Sequence, residues 1–161
     1  MTDPVEGKSL PQLTLRATLV DKVDLPDDLV ESWTLLYFYP KDDTPGCTKQ
    51  ACAYRDDGKK FKDLGVKLFG VSLDDIASHE AFRDKFSLNF PLISDPEHKL
   101  ADFFGSYGPR EWQGKKFMGL SRDTFLIDPT GKVIKAFRGV DPTKTVAETL
   151  EVVRDLISES R

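Results

Sequence analysis

Apolar residues recur along the chain in short blocks whose spacing switches between the period of a strand and that of a helix. Residues 9–20 alternate weakly through Leu13, Leu15, Ala17 and Leu19, which predicts an N-terminal strand or hairpin. Trp33-Thr34-Leu35-Leu36-Tyr37-Phe38-Tyr39 is a continuous apolar and aromatic run stopped by Pro40, and it reads as a buried strand. After a polar turn, Cys47, Ala51, Tyr54, Phe61 and Leu64 fall near one face of a helix weakened by Gly58. Val66-Lys67-Leu68-Phe69-Gly70-Val71-Ser72-Leu73 is a second buried strand. Ser78 is a candidate cap for a helix carrying Ala81, Phe82 and Phe86. Phe90-Pro91-Leu92-Ile93-Ser94 is a short strand, with Pro91 at its start or on an edge.

Asp95-Pro96 looks like a helix cap followed by proline in the first turn, opening a helix with Leu100, Phe103 and Phe104 that stops at Gly105. Two strands, Thr124-Phe125-Leu126-Ile127 and Val133-Ile134-Lys135-Ala136-Phe137, flank the turn Asp128-Pro129-Thr130-Gly131. A last helix starts near Asp141-Pro142 and presents Val146, Leu150, Val153 and Ile157. The order alternates strand and helix, then closes with a hairpin and a helix. That predicts an α/β domain: a mixed central sheet, helices on both faces, and an N-terminal strand or hairpin extension. A parallel pair followed by an antiparallel hairpin and a closing helix fits the thioredoxin-like arrangement. No linker or internal repeat interrupts it, so residues 1–161 read as one domain.

Composition narrows the function. The chain has 161 residues, 39% apolar and 31% charged, with a net charge of −4, which suits a globular core and disfavours a sequence-independent nucleic-acid or anionic-membrane binder. Lys59-Lys60 and Lys115-Lys116 are too short to form a nucleic-acid footprint. The chain lacks an 18-residue apolar run, so no membrane span is expected. The opening Met1-Thr2-Asp3-Pro4-Val5-Glu6 does not resemble a signal peptide, so a cytoplasmic, reducing setting is expected.

Two cysteines, Cys47 and Cys52, remain to be explained. Two thiols do not make a zinc site, and His79 and His98 lie far off in sequence. In a reducing compartment such a pair is catalytic or redox-sensing; two inert buried cysteines are the alternative. Cys47 sits where a strand, a turn and a helix meet. First-turn N–H dipoles there favour a thiolate, the nucleophilic form. Thr44 lies in the same turn, where its hydroxyl could bond the sulfur or a substrate, or merely support the turn. Pro40 and Pro45 stiffen the loop, and Gly46 permits close approach of a small ligand. In a regular helix the Cα atoms of Cys47 and Cys52 stand about 8–9 Å apart. A disulfide needs less than about 7 Å. If the two cysteines bond, the first turns must unwind.

The run Phe38-Tyr39-Pro40-Lys41-Asp42-Asp43-Thr44-Pro45-Gly46-Cys47-Thr48-Lys49-Gln50-Ala51-Cys52 resembles the signature of the peroxiredoxins. Thr-Pro-Gly-Cys-Thr with a second cysteine five residues on is similar to their bacterioferritin comigratory, or Q-type, branch. Ser72-Leu73-Asp74, Pro91-Leu92-Ile93-Ser94-Asp95-Pro96 and Thr124-Phe125-Leu126-Ile127-Asp128 follow in the family's order, with Arg122 just before the last. Gln50 departs from the pattern, standing where many members carry glutamate.

The resemblance implies a thiol-dependent peroxidase acting on hydrogen peroxide and alkyl hydroperoxides. Cys47 would be the nucleophile, oxidised to a sulfenic acid. Arg122 and Thr44 would bind the peroxide, backbone N–H groups of Gly46 and Cys47 would stabilise the leaving oxygen, and Pro40 would shield the sulfur. Cys52 would resolve the sulfenic acid as an intramolecular disulfide, and thioredoxin or glutaredoxin would reduce it. No cofactor or metal is implied, and a monomer is expected because both thiols lie in one chain. A non-enzymatic redox sensor or partner-binding domain would use the same pair. A thioredoxin-type oxidoreductase would need two residues, not four, between the cysteines.

Several residues are expected to be bland. His79 and His98 read as surface or capping residues, and Asp42-Asp43 as a solvated turn. Tyr107, Trp112, Phe117 and Met118, in the glycine- and charge-rich segment before Arg122, read either as an apolar collar over the cysteine or as packing beneath a loop.

Overall fold

The computed structural model describes residues 3–160; Met1, Thr2 and Arg161, the ends of the expected domain, lie outside them. Nine strands and four helices follow one another as β1 (Leu13–Ala17), β2 (Asp21–Leu25), β3 (Trp33–Phe38), α1 (Pro45–Asp63), β4 (Val66–Ser72), α2 (Ile76–Phe86), β5 (Leu92–Ser94), α3 (Lys99–Phe104), β6 (Tyr107–Trp112), β7 (Lys115–Leu120), β8 (Thr124–Ile127), β9 (Val133–Phe137) and α4 (Thr145–Glu159). Seven strands form one sheet in the order β2-β1-β5-β4-β3-β8-β9, and β6-β7 form a separate two-stranded ribbon.

The sheet is mixed, as the alternation predicts. β3, β4 and β5 run parallel, joined by the crossover helices α1 and α2, while β8 pairs antiparallel to β3 and β9 antiparallel to β8. Side chains on successive strand residues point to opposite faces. Leu35, Tyr37 and Tyr39 enter the core under α1, α2 and α4, while Leu36 and Phe38 enter the core on the other face, beside α3. The apolar stripe of α4, Val146, Leu150, Val153 and Ile157, is buried as its spacing predicts. Gly70 is where β4 passes closest to its neighbours: a Cβ there would lie 2.9 Å from Leu92 Cδ2 and 3.0 Å from the Tyr37 ring.

Helix starts depart from expectation in three places, and an aspartate stands at each. α2 is capped by Asp75, whose carboxylate accepts from the Ser78 N–H; Ser78 is the recipient, not the cap. α3 begins at Lys99, beyond Pro96, yet the Asp95 carboxylate still accepts from the Leu100 and Ala101 amides. α4 begins at Thr145, after a turn in which the Asp141 carboxylate accepts from the amide and hydroxyl of Thr143.

The segment before Arg122 is also corrected. It is the β6-β7 hairpin, paired from Tyr107↔Leu120 to Trp112↔Lys115. Its two-residue turn is Gln113-Gly114, both at positive φ (51° and 79°), the geometry that matches strand twist. Trp112, Phe117 and Met118 are exposed on this ribbon, so they are not packed beneath a loop. Tyr107 instead stacks on His98 at 3.8 Å between ring centroids. Among the described residues, no helix is long and apolar enough to cross a membrane.

Candidate active site

β3 delivers the chain to the carboxyl edge of the sheet, where Pro40 stands exposed and the loop turns into α1. Thr44 is the N-cap residue with extended backbone (φ −99°, ψ 155°), and Pro45 follows in the first turn. The first helical bond runs from Thr48 N to Thr44 O, which leaves the amides of Gly46 and Cys47 without a partner inside the helix. Cys47 therefore sits in the first turn, buried at 1% exposure, with unspent N–H dipoles around it. The Thr44 hydroxyl does not cap the helix; it donates to Lys41 O at 2.9 Å, leaving its oxygen free to accept.

Arg122 comes to the sulfur from the segment between β7 and β8. Its guanidinium donates Nη1–H to Gln50 Oε1 at 2.8 Å and Nη2–H to Cys47 Sγ at 3.5 Å. Gln50 lies one turn beyond Cys47 and is fully buried, and its own amide nitrogen has no partner. Gly46 makes room for this fork: a Cβ there would stand 3.2 Å from Arg122 Nη2 and 3.5 Å from Pro142 Cγ. Backbone position is set next door. The buried Asp123 carboxylate accepts from Ser106, Ser121, Arg138 and the Gly139 amide, and Arg122 O accepts from Val140 N. Beneath the site, burial pushes the Tyr37 hydroxyl well above its ordinary range, so it stays neutral.

Cys52 lies on the same intact helix, half-buried, and both cysteines are free. Five residues carry it roughly 140° around the helix axis from Cys47. As expected, the two sulfurs cannot meet while this helix stays wound.

The structure thus brings together Cys47, Gly46, Arg122 and Gln50. Thr44 and Pro40 lie in the adjoining loop, and Cys52 faces away. Two residues read as bland are not. Asp42 is buried, not solvated, and His79 is fully buried, not on the surface. Asp42 Oδ2 lies 2.7 Å from His79 Nδ1, and Asp42 Oδ1 accepts from the Tyr39 hydroxyl at 2.6 Å. No local signal marks this contact, because the partners are 37 residues apart. Asp43 is exposed against Lys85 as expected, and His98 is half-exposed at the start of α3.

A buried cysteine in the first turn of a helix, met by a guanidinium at the edge of a mixed sheet, defines a thiol-based oxidoreductase. The profile of the AhpC/TSA family matches residues 7–136. Peroxiredoxin Bcp of Bacillus subtilis is 41% identical over 150 residues, covering 93% of this chain and 95% of that protein. Xanthomonas campestris Peroxiredoxin Q superposes with a TM-score of 0.85 at 32% identity, covering 92% of this chain and 96% of that one. A structure of the bacterioferritin comigratory protein of the same organism, described by its alkyl peroxide reduction activity, gives a TM-score of 0.87 at 31% identity, covering 96% and 99%. The chain belongs to the AhpC/TSA family, with the thioredoxin-like fold and the thiol peroxidase activity of the peroxiredoxins.

Proposed function

We propose that this protein reduces hydrogen peroxide and alkyl hydroperoxides through a Cys47–Cys52 disulfide recycled by thioredoxin. The observation that carries the reading is the Arg122 guanidinium shared between Cys47 Sγ and Gln50 at the first turn of α1. The Cys47 thiolate attacks the terminal peroxide oxygen. The S–O bond forms as the O–O bond breaks, sulfur supplies two electrons, and the departing alkoxide or hydroxide takes a proton and leaves as alcohol or water. Arg122 holds the sulfur and the peroxide oxygens. The Gly46 and Cys47 amides face the negative charge that grows on the leaving oxygen, and the Thr44 oxygen accepts from the peroxide O–H. Pro40 limits access of water.

Cys52 then attacks the sulfenic sulfur, expelling water and closing the disulfide once the first turns of α1 unwind. A dithiol of the thioredoxin class reduces this bond by exchange, becoming a disulfide itself. The alkyl substrate class is supported by the Xanthomonas relative described by that activity. A one-chain cycle supports a monomer.

The test is a thiol count and intact mass before and after one equivalent of hydrogen peroxide, on wild type, Cys47→Ser and Cys52→Ser. Wild type loses both thiols within one chain, Cys47→Ser stays inert, and Cys52→Ser stops with one added oxygen. Retention of both wild-type thiols would refute the reading.

A further inference from the structure

The Asp42–His79 contact touches no reacting atom, yet it anchors the loop that leads to Cys47. Both ring nitrogens of His79 face acceptors. Nε2 lies 2.9 Å from the Ile93 carbonyl oxygen, which has no proton to offer, so Nε2 carries a hydrogen. Nδ1 lies 2.7 Å from Asp42 Oδ2. A neutral imidazole protonated at Nε2 would aim a lone pair at a carboxylate. The pair therefore holds one further proton between Nδ1 and Oδ2.

The Tyr39 hydroxyl oxygen also stands 3.5 Å from Nδ1, but Asp42 Oδ2 at 2.7 Å is the nearer partner for that proton. From β3, the Tyr39 hydroxyl donates to Asp42 Oδ1, and burial, followed by its Tyr37 and Asp42 neighbours, pushes it well above its ordinary range, so it remains a donor. From α2, the Ser78 hydroxyl donates to Asp42 Oδ2 at 2.8 Å. From the turn after β4, Asp74 accepts from the Asp42 amide at 2.8 Å and from the Ser72 hydroxyl at 2.7 Å, while Asp75 is occupied in capping α2. From β5, the Ile93 carbonyl faces the ring. Asp42, Asp74 and His79 come within 4.8 Å of one another, but their facing atoms are engaged in these bonds, so the cluster reads as a clamp and not as an ion site.

We propose that His79 is a positioning residue for the peroxide reaction: sharing one proton with Asp42, it clamps residues 39–44 to α2 and β5 and so holds Cys47 against Arg122. The clamp closes five residues before Cys47 and two before Thr44. It stands just upstream of the turns that unwind for disulfide formation, so it anchors the fixed end of the moving segment. The inference rests on Cys47 being the reacting thiol.

The test combines imidazole nitrogen NMR with the second-order rate of the reduced protein with hydrogen peroxide, for wild type, His79→Phe and Asp42→Asn. In Asp42→Asn the new amide N–H donates to a neutral Nδ1, so the clamp keeps its geometry without the extra proton. Wild-type His79 shows hydrogen on both ring nitrogens, which face two acceptors, and Asp42→Asn shows Nε2–H alone. His79→Phe slows the peroxide step on the order of tenfold or more, as expected for a displaced nucleophile. Asp42→Asn stays within a few-fold of wild type. A single-proton His79 in wild type overturns the proposal, as does a folded His79→Phe variant with the wild-type rate. If His79→Phe does not fold, the spectra of wild type and Asp42→Asn decide alone. Wild type that ignores peroxide while His79 carries two protons would sink the assignment of Cys47 instead.

Discussion

Replacing Arg122 with methionine keeps an unbranched apolar stem and removes the charge and the fork of donors. In the structure the guanidinium stands 3.5 Å from Cys47 Sγ. At that distance a unit charge attracts a thiolate by about 5 kcal/mol for an effective dielectric of about 20. Arg122 is half-exposed, so water trims this figure. A preorganised donor removed from a forming oxyanion costs about 3 kcal/mol, which slows the step on the order of a hundredfold. The change also strips Gln50 Oε1 of its donor while its amide nitrogen is already unpartnered, at a cost of about 1–3 kcal/mol in stability.

Gly46→Ala approaches the same contact from the other side. The added Cβ, 3.2 Å from Nη2, pushes the guanidinium away, while alanine in the first turn favours the helix. The peroxide step should therefore slow on the order of tenfold with no loss of stability, which separates positioning from unfolding. The assay is stopped-flow reaction of reduced protein with hydrogen peroxide, beside urea denaturation of the same samples. An Arg122→Met variant that folds and reacts within about threefold of wild type would refute the reasoning.

Two further outcomes test the fold around the site. Gly70→Ala places a methyl 2.9 Å from Leu92 Cδ2 in a packed interior, so the urea midpoint should fall by the equivalent of about 1–3 kcal/mol. Asp3 is held down to about 2 by the Arg138 guanidinium, and a carboxylate whose folded value is depressed adds stability that is full above its unfolded value near 3.8. That contribution is lost as pH falls from about 4 towards 2, so the thermal midpoint of wild type should drop through this window, and Asp3→Asn should show a shallower drop from a lower start.

What was legible in the sequence is what depends on neighbours along the chain. Burial on one side of a helix leaves a spacing, so α4 and the four apolar residues of its buried stripe could be read directly, as could β3 as a continuous run. Cys47 was legible for a similar reason: strand, proline-rich turn and helix start are contiguous, and a helix terminus carries its own dipole. The β6-β7 hairpin left only Gln113-Gly114 as a signal, a two-residue turn hidden among glycines and charges.

Long-range polar pairing was decided by tertiary structure alone. Gln50 meets Arg122 across 72 residues and Asp42 meets His79 across 37, and nothing in the local pattern of either marks a partner. A polar side chain can enter a core only where its hydrogen bonds are met there, and that condition depends on which elements the sheet order sets side by side. Read in isolation, Asp42 and His79 look like solvated residues. Packing β3, α2 and β5 together turns the same residues into a buried clamp behind the reactive cysteine.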